Sequence, residues 1–515
     1  MFIDCTKNHF CVRAAIIAAG FAVSICSVST AALSADAPVK MSPEAKKVPF
    51  DPNLFRSDPQ YKDKPYSAPK QIEIYGGKSS MDVPRPLLEL GRPIYTEGPF
   101  SEGYNLIGRK NIVDPALSVY GDIKTAFGYN KNGDQDQAIL ATQLNLDVDL
   151  KLTGTERIHA FFKPLDKGGE FTSIELFGFG DEDQPRLELD ADPETLFLEG
   201  DMGSIVAGLT DEYQTFDFPF SVGYMPLLYQ NGVWMDDNII GGAFAIPALN
   251  SPMLDITNMD ISIFAGFDRV TTQAIKDSRG DNADHNVDIY GIATFIDANE
   301  GYWEAGFGFI DGESDFKDLD YYSATVAFTR RYGGWLSNSV RFLAAFGQDR
   351  DNNAQQTADG QLLLIENSLI THLPSTLVPY LNVFAGFDRP RQLADDNGPL
   401  KNTGINFEAD ALSLFPNLDD TGHDTWGGAL GVQYLFSLDQ QLVVEVATAQ
   451  IMGDANEAGR AAKDDQYGFG VRYQRPLGHT GGEMSRWILR LDGMYGVFKD
   501  NDDIAGTRLE FRRKF

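Results

Sequence analysis

Between residues 140 and 152 the chain alternates without a break. Leu140, Thr142, Leu144, Leu146, Val148, Leu150 and Leu152 fall on one face, and Ala141, Gln143, Asn145, Asp147, Asp149 and Lys151 on the other. Side chains of a strand point to opposite faces in turn, so the pattern predicts one strand with an apolar face and a polar face. Its length suffices to cross a bilayer obliquely, which takes roughly 9–11 residues. A charge facing lipid at mid-depth costs about 2–4 kcal/mol. The face with Asp147, Asp149 and Lys151 is therefore expected to look into a lumen, and the leucine face outward.

The pattern recurs. Residues 424–437 set Trp426, Leu430, Val432, Tyr434 and Phe436 against Gly427, Ala429, Gly431 and Gln433. Residues 465–476 set Tyr467, Phe469, Val471 and Tyr473 against Gly468, Gly470, Arg472 and Gln474. Residues 484–498 set Trp487, Leu489, Leu491, Tyr495 and Val497 against Arg486, Arg490 and Asp492. A soluble sandwich alternates too, but with shorter strands.

The connections alternate as well. Short turns at 298–301, 332–334, 373–375 and 438–440 are separated by long polar loops at 268–285, 311–319, 348–360, 388–423 and 453–464. Short turns on one side and long loops on the other describe a membrane barrel. Segmentation gives about 18 strands, with 16 as the other count. They start near 117, 137, 156, 195, 204, 239, 257, 286, 302, 320, 335, 361, 376, 424, 440, 465, 484 and 504. The expected fold is all-β: a transmembrane antiparallel up-and-down β-barrel over 116–515.

Two segments precede it. Residues 1–35 have a basic start (Lys7, Arg13), an apolar stretch from Ala14 to Val28 and a small, Ala-rich end. This is the layout of a signal peptide, so export is expected. Residues 36–115 are dense in proline, which withholds ladder donors and rules out a run of central strands. They are expected to form a periplasmic or lumen-threaded arm.

Composition narrows the class. The chain has 515 residues and a mean hydropathy of −0.24. Beyond the N-terminal segment it has no apolar run of about 18 residues, the length a spanning helix needs. A formal charge of −31 argues against nucleic-acid binding. The three cysteines are Cys5, Cys11 and Cys26, so a chain cleaved after them has no disulfide framework or thiolate metal site.

The final strand carries a motif. Leu509, Phe511 and Phe515 share one face, and Arg508, Glu510, Arg512 and Lys514 the other. Gly506, followed three and five residues on by Leu509 and Phe511 and closed by Phe515, resembles the assembly signal of Gram-negative outer-membrane β-barrels. Arg513 departs from that pattern, which usually has an apolar residue there. Over 116–515 the architecture resembles the outer-membrane porins. The resemblance implies a bacterial outer-membrane location and a water-filled channel for passive diffusion of small hydrophilic solutes. It also implies contact with membrane lipids and lipopolysaccharide and with the barrel-assembly machinery. Porins are often homotrimers, but no sequence feature marks a trimer surface. Two other readings stay open: a polyuronate (alginate-type) export barrel, and a scaffold barrel sheathing a periplasmic partner such as an electron-transfer cytochrome.

A barrel of this size leaves an aqueous lumen unless something fills it. By the alternation, Arg157, Lys163, Arg341, Arg472, Arg486, Arg490, Arg508 and Arg512 line the wall, with Asp147, Asp149, Glu445 and Asp492 among them. Basic residues predominate in this reading, and arginine presents fixed donors to anions, so two expectations stand: an arginine ladder that guides anionic solutes, or arginines that pair with neighbouring carboxylates and hold the wall. Residues 213–238, with Asp217, Asp236 and Asp237, are read as an outside loop or as the candidate constriction loop. The repeat Ala-Gly-Phe-Asp-Arg at 265–269 and 385–389 reads first as a coincidence between similar strand ends, and otherwise as a paired Asp–Arg rim. No histidine pair has metal spacing and no nucleophile turn occurs, so no enzyme, metal or cofactor is expected.

Overall fold

The computed structural model describes residues 85–91, 102–133, 135–178, 185–350, 354–436, 440–453, 460–478 and 486–515. The expected signal peptide, most of the expected arm, the 438–440 turn and much of the 453–464 loop lie outside them.

The long alternating runs become one closed antiparallel barrel of 18 strands. They are β1 Ala116–Asn132, β2 Gln135–Lys151, β3 Arg157–Phe162, β4 Pro193–Asp201, β5 Pro219–Tyr229, β6 Met235–Ser251, β7 Ile256–Asp268, β8 Val287–Ala298 and β9 Gly301–Gly312. Then follow β10 Tyr321–Tyr332, β11 Leu336–Phe346, β12 Gln361–Leu369, β13 Leu377–Phe387, β14 Thr425–Leu435, β15 Gln441–Ile451, β16 Gln466–Pro476, β17 Trp487–Phe498 and β18 Ile504–Lys514. Each strand pairs with its sequence neighbours. The barrel closes where β1 meets β18, with Phe127 opposite Leu509 and Thr125 opposite Phe511. Phe515 and Gly121 exchange backbone hydrogen bonds of 3.0 Å in both directions and extend that closing ladder. Closure of β1 on β18 leaves the sheet without a free edge strand.

The faces sort as the alternation requires. Trp426, Leu430, Phe436, Tyr467 and Phe469 are each about half exposed on the outer surface. Ala429, Ala447 and Ala449, on the opposite face, are buried. Most connections at one end, here the turn end, are short, and the longest ones lie at the other, the loop end.

The wall is irregular between β2 and β5. The lower half of β2 pairs with β3, and its upper half pairs with a separate strand, Glu170–Phe177, from the β3–β4 connection. A strand expected near 204 is instead helix α1, Met202–Thr210. Asp201 caps it, accepting from the Ser204 amide at 2.7 Å. Glycines 203 and 208 and Ala207 form its buried face, which sits too close to its neighbours for larger side chains. The fifth wall strand begins only at Pro219.

The described parts of the N-terminal arm also lie at the turn end. Leu88–Gly91 pairs with Ala116–Val119 of β1. Farther on, Gly108 approaches the Gly208 carbonyl of α1, and the Lys110 ammonium lies 4.1 Å from the centre of the Tyr213 ring.

Candidate functional site: the loop-crossed lumen

The connection between β13 and β14, residues 388–424, was expected to be an outer polar loop. It runs instead through the bore. Leu393, Leu400, Phe407, Leu412 and Leu418 are buried, and their burial is worth about 1.5–3 kcal/mol per side chain. Its two ends are clasped: Asp388 N–H donates to the Asp424 carboxylate at 2.7 Å, and Asp424 N–H to the Asp388 carbonyl at 3.2 Å.

The inner wall is thinned to receive it. A Cβ on Gly308 of β9 would meet Leu393 at 2.5 Å, and one on Gly506 of β18 would meet Pro416 at 2.5 Å. Those two strands stand half-way round the barrel from each other, so the loop spans the bore. Gly470 of β16 is likewise opened to Asn406. Gly506 thus has a second duty besides its place in the C-terminal motif.

Two anchors hold the loop. The first is ionic. Asp492 of β17 pairs with Arg472 at 2.6 Å, Arg490 at 2.8 Å and Arg508 at 2.9 Å. From the loop, Glu408 bridges Arg472 at 2.7 Å and Arg490 at 3.0 Å, and Asp410 reaches Arg508 at 2.6 Å. Burial alone would raise the Glu408 carboxyl, but the two guanidiniums outweigh it and hold it below the ordinary range. The second anchor is a single wall carboxylate, Glu445 of β15. It accepts from the amides of Ile405 and Asn406, each at 2.9 Å, from the Asn406 side chain at 2.7 Å, and from the Tyr380 hydroxyl at 2.5 Å.

This arrangement corrects the expectation of an open arginine ladder in favour of arginines paired with carboxylates. Three arginines meet three carboxylates in the network, two of which the loop supplies. Elsewhere Arg157 pairs with Glu199 at 3.1 Å and Asp149 at 3.5 Å, Lys163 with Glu194 at 3.7 Å, and Arg512 with Asp122. Arg341 is buried between Glu304 at 3.6 Å and Glu366 at 3.9 Å, and donates to Gln230 at 2.6 Å. Arg486 precedes β17 at the turn end.

The candidate constriction at 213–238 is corrected too. Most of it is β5 and β6, because its alternating apolar residues pair as wall strands. Asp217 is exposed at the turn end. Asp236 pairs with Lys401 of the loop at 2.6 Å, and Asp237 accepts from the Thr271 amide at 2.6 Å. Only the tight turn between β5 and β6 enters the bore. There Gln230 accepts from Thr325 at 2.8 Å, and the buried Trp234 donates to Ser323 at 3.2 Å. The two Asp–Arg repeats form no shared rim. Arg269 meets Asp284 at 3.5 Å, whereas Arg389 meets Asp359 at 3.1 Å.

The loop's outer stretch carries a pH dependence. Burial raises Asp395 to about 6 against the opposing pull of Lys401. Burial and the adjacent Asp419 charge raise Asp420 to about 7. Free aspartate titrates near about 3.9. A carboxyl whose pKa is raised in the docked loop favours docking fully below its free value, and that contribution is lost as pH rises through the raised value. Glu408, held low, does not titrate in this window. Single-channel conductance is therefore expected to rise from pH 5 to pH 8; a fall over that range would contradict the assignment.

Glu408, Asp410, Asn406 and Tyr380 were not singled out in the sequence, and Glu445 was one acid among several. Glycines recurring on the inner faces of β14 and β16, and large apolar residues inside a supposed polar loop, were the available signals.

The chain matches no family model and no curated protein. Among solved structures it is similar to Pseudomonas aeruginosa OpdL, with a TM-score of 0.51 and 11% identity, covering 78% of this chain and 98% of that one. Pseudomonas aeruginosa OccK5 (OpdH) gives a TM-score of 0.49 and 10% identity over 78% of this chain and 98% of that one. The likeness is one of fold: the chain is a closed 18-stranded antiparallel β-barrel.

Proposed function

We propose that the protein is an outer-membrane channel through which small hydrophilic solutes diffuse passively, with the bore narrowed by its own 388–424 loop. The observation that carries this reading is the loop's contact with both Gly308 and Gly506, which sets a constriction across a barrel otherwise wide enough for water. The turn end then faces the periplasm and the loop end the outside. The apolar outer belt fits lipid, with lipopolysaccharide at its outer rim.

Within this reading the channel weakly prefers anions. The Arg157 and Arg512 side chains are 38% and 36% exposed, whereas their partners Asp149 and Asp122 are 17% and 9% exposed. Glu199, 40% exposed, offsets part of this, so the preference is small. The test is the reversal potential across a potassium chloride gradient in a planar bilayer. A potential of anion-selective sign supports the preference, and one of cation-selective sign rejects it.

A further inference from the structure

We propose that Glu445 positions the constriction: its buried carboxylate is the seat that fixes the tip of the 388–424 loop inside the bore. The inference rests on the channel reading above and deepens it.

Glu445 is 1% exposed, deep in the inner wall. Among the described residues it has four donors, all neutral, and three of them belong to the loop. Two are the successive backbone amides of Ile405 and Asn406. Consecutive N–H groups aimed at one point form an anion-binding concavity, and here the anion is the wall's own side chain. The dependence runs both ways. Without the loop tip the carboxylate would keep only the Tyr380 hydroxyl among these protein donors, and water in the bore would have to replace the other three. The wall is shaped for this contact. Gly431 lies opposite both Tyr380 and Glu445, and its missing side chain lets the Tyr380 ring lie across to the carboxylate. On the loop side, a Cβ on Gly404 would stand 2.5 Å from a Glu445 oxygen and 2.8 Å from the Ala429 methyl. The ionic anchor at Glu408 and Asp410 begins only two residues beyond Asn406, yet it uses different wall strands, β16 to β18. The tip can thus lose its seat while the arginine network stays whole.

The test separates loop position from conduction. In full-length protein with Cys5, Cys11 and Cys26 changed to serine, Thr403→Cys places a thiol at a position 1% exposed. Among the described residues the Thr403 hydroxyl has no hydrogen-bond partner, so this replacement removes none there. Labelling by a charged, water-soluble thiol reagent then reports opening of the loop tip. Glu445→Ala is expected to speed labelling about tenfold or more, as for a locally released segment. It should also raise single-channel conductance, with the barrel still folded by its heat-dependent gel mobility. Glu445→Gln should behave similarly, because an amide offers one acceptor where the loop presents three donors. Tyr380→Phe, which removes only the wall's own donor, should change labelling little. If Glu445→Ala does not fold, Gly404→Ala displaces the tip from the loop side with the wall intact and should give the same rise. Unchanged labelling in a folded Glu445→Ala or Gly404→Ala protein would overturn the proposal. Faster labelling with no conductance in any variant would uphold the seat and reject the channel.

Discussion

Replacing residues 391–421 with a short Gly-Ser linker should raise single-channel conductance severalfold while leaving the barrel folded. The cut is clean because the loop's ends are tied to each other: the amides of Asp388 and Asp424 bond across the gap on the retained side. What is removed is the apolar filling (Leu393, Leu400, Phe407, Leu412 and Leu418) that now occupies the bore. The deletion also unbalances the wall charge. Glu408 and Asp410 leave with the loop, so Arg472, Arg490 and Arg508 face only Asp492. Three guanidiniums against one carboxylate should move the reversal potential toward anions in the same protein. Conductance and selectivity both unchanged would mean that the loop does not lie in the conduction path.

The second large effect concerns stability. Asp492→Ala should lower it by about 3–5 kcal/mol, the usual cost of removing one member of a buried ionic cluster. Asp492 is the common partner of three arginines on three adjacent strands, and its side chain is 3% exposed. Without it Glu408 and Asp410 are left to balance three buried guanidiniums. Urea titration in detergent, followed by tryptophan fluorescence, reads the shift in midpoint. Asp492→Asn retains the shape and part of the hydrogen bonding and should fall between the two. A midpoint unchanged in Asp492→Ala would show that the cluster adds nothing to the fold.

The barrel was legible because lipid enforces the pattern. Leu140 to Leu152 alternate strictly, since a charge on the outer face is prohibitive, and the closing strand with Leu509 and Phe511 shows the same discipline. The wall failed to read where that pressure lapses. At Met202–Thr210 the chain leaves the membrane wall, and a helix of small residues replaced the expected strand. At 213–238 the acids Asp217, Asp236 and Asp237 read as a loop, yet they only flank a pair of wall strands. The site was less legible than the wall. Alternation placed Arg472, Arg490 and Arg508 on the lumen side, but it carries no information about what stands opposite them. Their partners Glu408 and Asp410 are more than 60 residues away in sequence from Arg472 and Arg490, brought in by a loop whose path depends on where the wall has no side chains. Gly308, Gly470 and Gly506 encode that path, but one at a time each reads as an ordinary small lumen residue.

The most direct measurement is current through the purified full-length protein in a planar bilayer under a salt gradient. The account requires discrete, stepwise conductance with a weakly anion-selective reversal potential, increased in the protein that lacks residues 391–421. A bilayer that stays silent with both proteins, although both are folded and inserted, would contradict it.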